Sequence, residues 1–461
     1  MQKPWFFALT VILAALAYFF GGFLSVAAYA AVLLSVYLLF DSLLFDSLGT
    51  IERMMLSLFS SVVFFVWLAF GISSIVGYGR LSITLSLLAL GAISAFFTPA
   101  ETYGRLVLGK FFHKSIGAAV EHKNALFLAL FVFLLVFYIM AQTLWVPSRE
   151  GIVVGGWNYG DFFFHLPIIL SVNAGNFPPQ APYLAGAPLA YHWFSDFFTA
   201  INAKITGWDA IGLVRLENAL WVSLFFLCVY FFAFELCAER KKSVYAALVV
   251  LFAGGLGFTK IFADLSSSPD SGLLTLISSK AYDNDWAAFQ VPSLLPGFLL
   301  DQRPIMIGLP VFVLILLLVL SAKRNRNPVP SYALAGALAG LSPMFHIYSG
   351  LFGALFAGIF ILSETWRGKR IRRANAMNAA CFALPFLVLL APSYFLLSST
   401  GSKMPIVQSF GWLAPKDLFG FINFYWNNLG VSFAFFAIFF IASYFSKKNA
   451  ARVDSSVFFV K

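Results

Sequence analysis

Apolar stretches long enough to cross a bilayer recur along most of this chain, and they decide its fold class before any motif is read. Runs at about 5–40, 54–76, 81–98, 125–145, 212–236, 244–263, 304–322, 331–363, 377–397 and 426–446 each approach or exceed the roughly 20 helical residues that span a hydrocarbon core. Composition agrees, because 61% of residues are hydrophobic, 11% are charged and the mean hydropathy is +0.86, whereas soluble domains carry about 25% charged residues. The expectation is an all-α integral membrane protein, a polytopic bundle.

Two runs are too long for one crossing. The first carries Gly21-Gly22 at its middle, and the run at 331–363 carries Ser342-Pro343 with His346 close behind, so each is predicted to break into a hairpin. The net charge of +10 would suit nucleic acid if it formed one face. Instead the cations cluster beside apolar runs, at Arg105 to Lys123, Arg240-Lys241-Lys242, Lys323-Arg324-Arg326, Arg367 to Arg373 and Lys447-Lys448, as cytoplasmic loops do. No nucleic-acid partner is expected. The clusters on either side of 331–363 both read as cytoplasmic, which requires an even number of crossings between them. With both hairpins the count is about 12 transmembrane helices, with both termini cytoplasmic and the N-terminal run retained as a span.

This divides the chain into a four-span N-terminal module at 1–98, a basic cytoplasmic linker at 99–124, a core at 125–446 and a cytoplasmic tail at 447–461. Three long segments face outward, 146–211, 264–303 and 398–425. Cys228, Cys237 and Cys381 fall in spans or at a cytoplasmic end, and there is no Asn-x-Ser/Thr site. Both features favour a prokaryotic plasma membrane over the endoplasmic reticulum. Nothing resembles a phosphate-binding Walker loop, a dinucleotide fingerprint, a serine-hydrolase elbow or a zinc-protease helix.

Chemistry concentrates in the first outward segment, Trp157-Asn-Tyr-Gly-Asp161-Phe-Phe-Phe-His165-Leu-Pro167, then Asn176-Phe-Pro-Pro179, then Tyr191-His192-Trp-Phe-Ser-Asp196. Asp161/His165 and His192/Asp196 are two acid and imidazole pairs at i,i+4, which share a face if each lies on a helix. Either they satisfy each other at the membrane surface, or they form a site, since charge near hydrocarbon is costly and marks function. Gln302-Arg303, where an outward segment enters a span, offers a guanidinium fork for a phosphate or an interfacial anchor. His346 sits at the outward apex of the second hairpin. Asp161, His165, His192 and Asp196 also have the chemistry to hold a divalent metal, but no tight ligand motif is present. Asp264, Asp270, Asp283 and Asp285 read as solvated.

The stretch from Gly160-Asp161 through Asn176-Phe-Pro-Pro179 to Tyr191-His192 and Asp196 resembles the GT-C superfamily of membrane glycosyltransferases, whose hallmark is an acidic residue early in the first outward loop of the core. Asp161 occupies that position, without the compact acidic pair of better-known members. The resemblance, over 125–446, implies transfer of a sugar from a polyprenyl- or dolichyl-phosphate donor to a glycan, protein or lipid acceptor at the outer face, beside membrane lipid. It implies Asp161 as general base with His165 and Asp196 catalytic, and Tyr191, His192, Gln302, Arg303 and His346 binding substrate. The rival expectation is a transporter or flippase for a lipid-linked or small polar substrate, favoured by the span count and the Gly and Pro breaks.

Overall fold

The computed structural model describes all residues except 1, 45, 108–109, 150, 155–158, 268–271, 274, 277–293, 296–298, 301, 367–372, 399–414 and 450–461. Trp157, Asn158, Asp270, Asp283, Asp285 and Asp301 therefore lie outside the described residues. The chain is almost entirely helical, and eight helices among the described residues are long and apolar enough to cross a membrane, or nine if a bent pair counts as one span. It is an all-α polytopic membrane protein.

Helices α1 (Gln2–Phe20), α2 (Phe23–Leu44), α3 (Thr50–Val76) and α4 (Arg80–Phe97) pack on one another. The first break falls at Gly21 and Gly22, which take φ of +64° and +57°, a region costly for residues with a Cβ. Two short helices, α5 (Ala100–Val107) and α6 (Lys110–Glu121), lead into α7 (Lys123–Thr143). A small hairpin, β1 (Val146–Ser148) paired antiparallel with β2 (Gly151–Val153), precedes α8 (Tyr159–Asn173) and α9 (Phe194–Thr206). Next come α10 (Ala210–Cys237), α11 (Arg240–Phe252) and α12 (Lys260–Ser267). Residues Arg240–Phe252 and Leu256–Ser267 are bent by 79° across their break.

Five further helices follow: α13 (Arg303–Ser321), α14 (Val329–Leu341), α15 (Ile347–Trp366), α16 (Arg373–Ser398) and α17 (Leu418–Leu429), with α18 (Val431–Asn449) after Gly430. The run at 331–363 is a hairpin. Gly336 and Gly340 of α14 lie against the Phe382 and Phe386 carbonyls of α16, in parallel order. Gly308 of α13 meets His346, while Gly353 of α15 meets Phe312 and Ile315 of α13, so α13 and α15 also run parallel. Arg324, just after α13, reaches the Ser47 carbonyl before α3, whereas Leu341 at the end of α14 accepts from Trp67 well along α3, so α14 runs back against α13 and α14 and α15 are antiparallel across Ser342–His346. The arms are unequal, since α14 has only 13 residues, fewer than the roughly 20 of a full-length span.

The bundle has two chemically different ends. At the basic end Lys114, Lys123, Arg240, Lys241 and Arg324 surround two adjoining clefts. At the other, Arg215 holds the Leu144 and Trp145 carbonyls at the end of α7, and Ile205 accepts from Gly22 N and Ser25 Oγ at the turn of the first hairpin. Helices α8 and α9 lie at this second end.

Candidate functional site

Helices α8 and α9 place the acidic and imidazole residues, but not in the sequential pairs that their spacing suggests. His165, 1% exposed, donates from Nδ1 to Oδ2 of Asp196, 0% exposed, at 2.7 Å. The pair thus joins the middle of α8 to the first turn of α9. His192 lies in the coil before α9 rather than on it, which separates it from Asp196.

Beneath this pair Arg303, at the first turn of α13, is 3% exposed. Its Nε donates to Asp196 Oδ1 at 3.2 Å, Nη1 to Asn218 Oδ1 at 2.7 Å and Nη2 to Glu217 Oε2 at 2.9 Å. Nη2 also donates to the Thr199 hydroxyl, which itself donates to Glu217. Asn202 Nδ2 supplies Glu217 Oε1 at 2.8 Å. Two buried carboxylates are thereby met by one guanidinium and neutral donors, the condition under which buried charge is tolerated. The planar fork expected to grip a phosphate is engaged inside the bundle by Asp196, Asn218, Thr199 and Glu217. Asp196, expected as catalytic, has both carboxylate oxygens engaged, by His165 and by Arg303. Gln302 is the half-buried N-cap of α13 beside this network.

Glu217, Asn218 and Thr199 were not singled out from sequence. The signal was present, since Arg215, Glu217 and Asn218 cluster near the start of a long apolar run, and intramembrane charge is a functional or structural marker.

Above the buried layer stand Asp161, Tyr191, His192 and His346. Asp161 lies in the first turn of α8 and is half-buried. Among the described residues its side chain forms no hydrogen bond or ion pair. Tyr191 packs edge-on against Phe164, with centroids 4.7 Å apart, and stacks on His192 at 4.2 Å and 25°. His192 meets the His346 ring at 5.6 Å. His346 is brought there by Gly308, where a Cβ would stand 2.4 Å from the His346 Cβ. His346 Nδ1 lies 2.6 Å from the Ser349 hydroxyl and 3.3 Å from the Ser349 backbone N–H; with both donating to it, the ring proton is on Nε2.

Burial pushes the His192 imidazole down to about 3 and His346 down to about 4, with the neighbouring imidazoles adding to the effect at His192. Both rings are neutral at physiological pH. Burial also raises the Tyr191 phenol, assisted by the negative charges of Asp196 and Asp161.

The loop between α8 and α9 is held from both sides. Asn176 closes it by donating to the Gln180 carbonyl at 2.8 Å and accepting from Gln180 N at 2.9 Å. Phe177 stacks on Tyr78 of the α3–α4 turn at 5.4 Å, and the Tyr78 hydroxyl donates to Asn173 at 2.9 Å. The N-terminal helices thus buttress the site.

The four side chains considered as a metal set do not converge. Both Asp196 oxygens are engaged, and among the described residues no three His, Cys, Asp or Glu side chains are arranged to hold an ion. No family model, curated protein or solved structure matches this chain.

Proposed function

We propose that the chain is a membrane glycosyltransferase of GT-C type, moving a sugar from a polyprenyl-phosphate donor to an acceptor at the extracytoplasmic face of a plasma membrane. In this reading it makes about twelve crossings with both termini cytoplasmic, and the basic end faces the cytoplasm by the positive-inside rule.

The observation that carries the reading is Asp161. It is a half-buried carboxylate without an ion-pair partner among the described residues, and its charge acts on Tyr191, whose ring stacks on His192, which in turn meets His346. Aromatic faces suit a pyranose ring, and neutral N–H donors suit hydroxyl and phosphate oxygens. Asp161 takes the proton from the acceptor hydroxyl as its oxygen bonds to the anomeric carbon. The bond from that carbon to the phosphate oxygen breaks, and its electron pair leaves with the lipid phosphate. His346 Nε2–H is a donor for that phosphate or for the sugar. His165, Asp196 and Arg303 hold α8, α9 and α13 in register so that Asp161 is correctly placed.

A transporter is the second reading, favoured by the 79° break between Arg240–Phe252 and Leu256–Ser267, since transporters use broken helices at their sites. The deciding experiment presents lipid-reconstituted protein with labelled polyprenyl-phosphate sugars and membrane extract as acceptor. Label released by the wild type and not by Asp161→Asn supports transfer. Uptake into sealed vesicles with no bond cleaved would replace it by transport.

A further inference from the structure

At the basic end, α7 and α11 both pack on α10, and between them opens a cleft of about 1130 Å3. Its deep wall is apolar, formed by Ala125, Leu128, Tyr230 and Val244. Its flanks are the outer faces of two bundle helices, with Phe127 and Phe131 exposed on α7 and Tyr245 and Val249 on α11.

The charges at its mouth do not cancel. Glu121 is taken by Arg240, and Glu239 by Lys242 at 2.7 Å. Lys123 and Lys241 also line the cleft, and among the described residues they have no acidic partner. His122, 8% exposed, lines it too. Its Nδ1 meets the Tyr230 hydroxyl at 2.8 Å, and its other nitrogen has no hydrogen bond among the described residues. The mouth is also where α7 and α11 begin. Neither N-cap residue, His122 or Glu239, bonds the first-turn amides with its side chain, so both positive helix ends add to the lysines.

We propose that this groove binds one anionic glycerophospholipid, its phosphodiester between Lys123 and Lys241 and its acyl chains along the apolar wall between α7 and α11. The combination of cationic mouth and apolar, laterally exposed wall selects a lipid over a free anion, because inorganic phosphate would use only the mouth. The site is at the opposite end of the bundle from Asp161 and does not rest on glycosyl transfer.

The test is native mass spectrometry of the full chain in detergent, exposed in turn to phosphatidylglycerol, phosphatidylcholine and inorganic phosphate. One phosphatidylglycerol retained per chain is expected, with phosphatidylcholine and inorganic phosphate failing to displace it. Lys123→Gln with Lys241→Gln should weaken retention about 30-fold, the effect of two cations at about 1 kcal/mol each. Equal retention of the two lipids, displacement by inorganic phosphate, or an unchanged double variant would each overturn the proposal. Should that variant fail to fold, Val244→Trp narrows the groove without touching a charge. It should lose the lipid, and full retention would overturn the proposal equally.

Discussion

The two ends of the bundle use the same kinds of side chain in opposite ways. At the basic end Arg240 and Glu121 pair while 53% and 50% exposed, and Arg324 grips Glu235 with its own side chain 52% exposed. At the site end Arg303, Asp196 and Glu217 pair at 3%, 0% and 7% exposure. Water screens the first set, so each pair contributes little. The second set has exchanged hydration for fixed partners, and each partner is needed because the others are buried. An exposed charge at the basic end is thus replaceable, and a charge that ties α9, α10 and α13 together is not.

The largest expected effect tests that contrast directly. Arg303→Met leaves Asp196 and Glu217 buried without their cation and should cost about 3 to 5 kcal/mol, read from denaturant unfolding of the protein in detergent. Adding Asp196→Asn and Glu217→Gln to the same chain removes the orphaned charges and should restore much of the loss. An Arg303→Met protein as stable as wild type would mean that the network is not what holds the site end.

Asp161 sharpens the comparison within the site. Asp161→Asn should unfold like wild type, because the carboxylate has no ion pair to lose among the described residues, yet lower sugar transfer about 100-fold or more, as expected of a general base. Asp196→Asn should lower both stability and transfer. If the two variants behaved alike, the separation between an upper reacting layer and a lower positioning layer would fail.

The third expectation concerns pH. His192 and His346 have folded values of about 3 and about 4 against an ordinary 6.5. Below 6.5 the unfolded chain binds protons that the folded chain does not, so stability contributed by these rings is present above 6.5 and lost as pH falls toward 4. Melting temperature should therefore decline over that window, and His192→Gln should flatten the slope. A slope unaffected by the substitution would place the titrating groups elsewhere.

Much of the fold was legible because membrane burial writes itself into long apolar runs, and both breaks, at Gly21-Gly22 and at Ser342–His346, carried local backbone signals. Charge also located the basic end. The span count was less legible, since α14 is short and α11–α12 is sharply bent, and hydropathy along the chain does not register bends. At the site, sequence drew attention to Asp161, His165, His192, Asp196, Arg303 and His346 but mispaired them. Spacing of i,i+4 predicts contact only within one helix, and the coil ends at Trp193, between His192 and Asp196. The true partners of Asp196 lie 31 and 107 residues away, a tertiary fact that no local pattern encodes.

The smallest effect completes the contrast. Arg324 reaches both Glu235 oxygens at 2.6 and 2.5 Å and the Ser47 carbonyl at 2.7 Å, joining the α2–α3 turn to α10 and the end of α13. Geometry alone would suggest a strong clamp, yet the guanidinium is half in solvent, so Arg324→Gln should cost no more than about 1 kcal/mol. Salt separates the two ends more cleanly than magnitude does. Added salt shortens the reach of exposed charges and leaves buried ones nearly untouched. The Arg324→Gln defect should therefore shrink in high salt while that of Arg303→Met persists. Equal salt dependence of the two defects would show that water reaches the network around Arg303, and the division between a solvated end and a desolvated one would have to be abandoned.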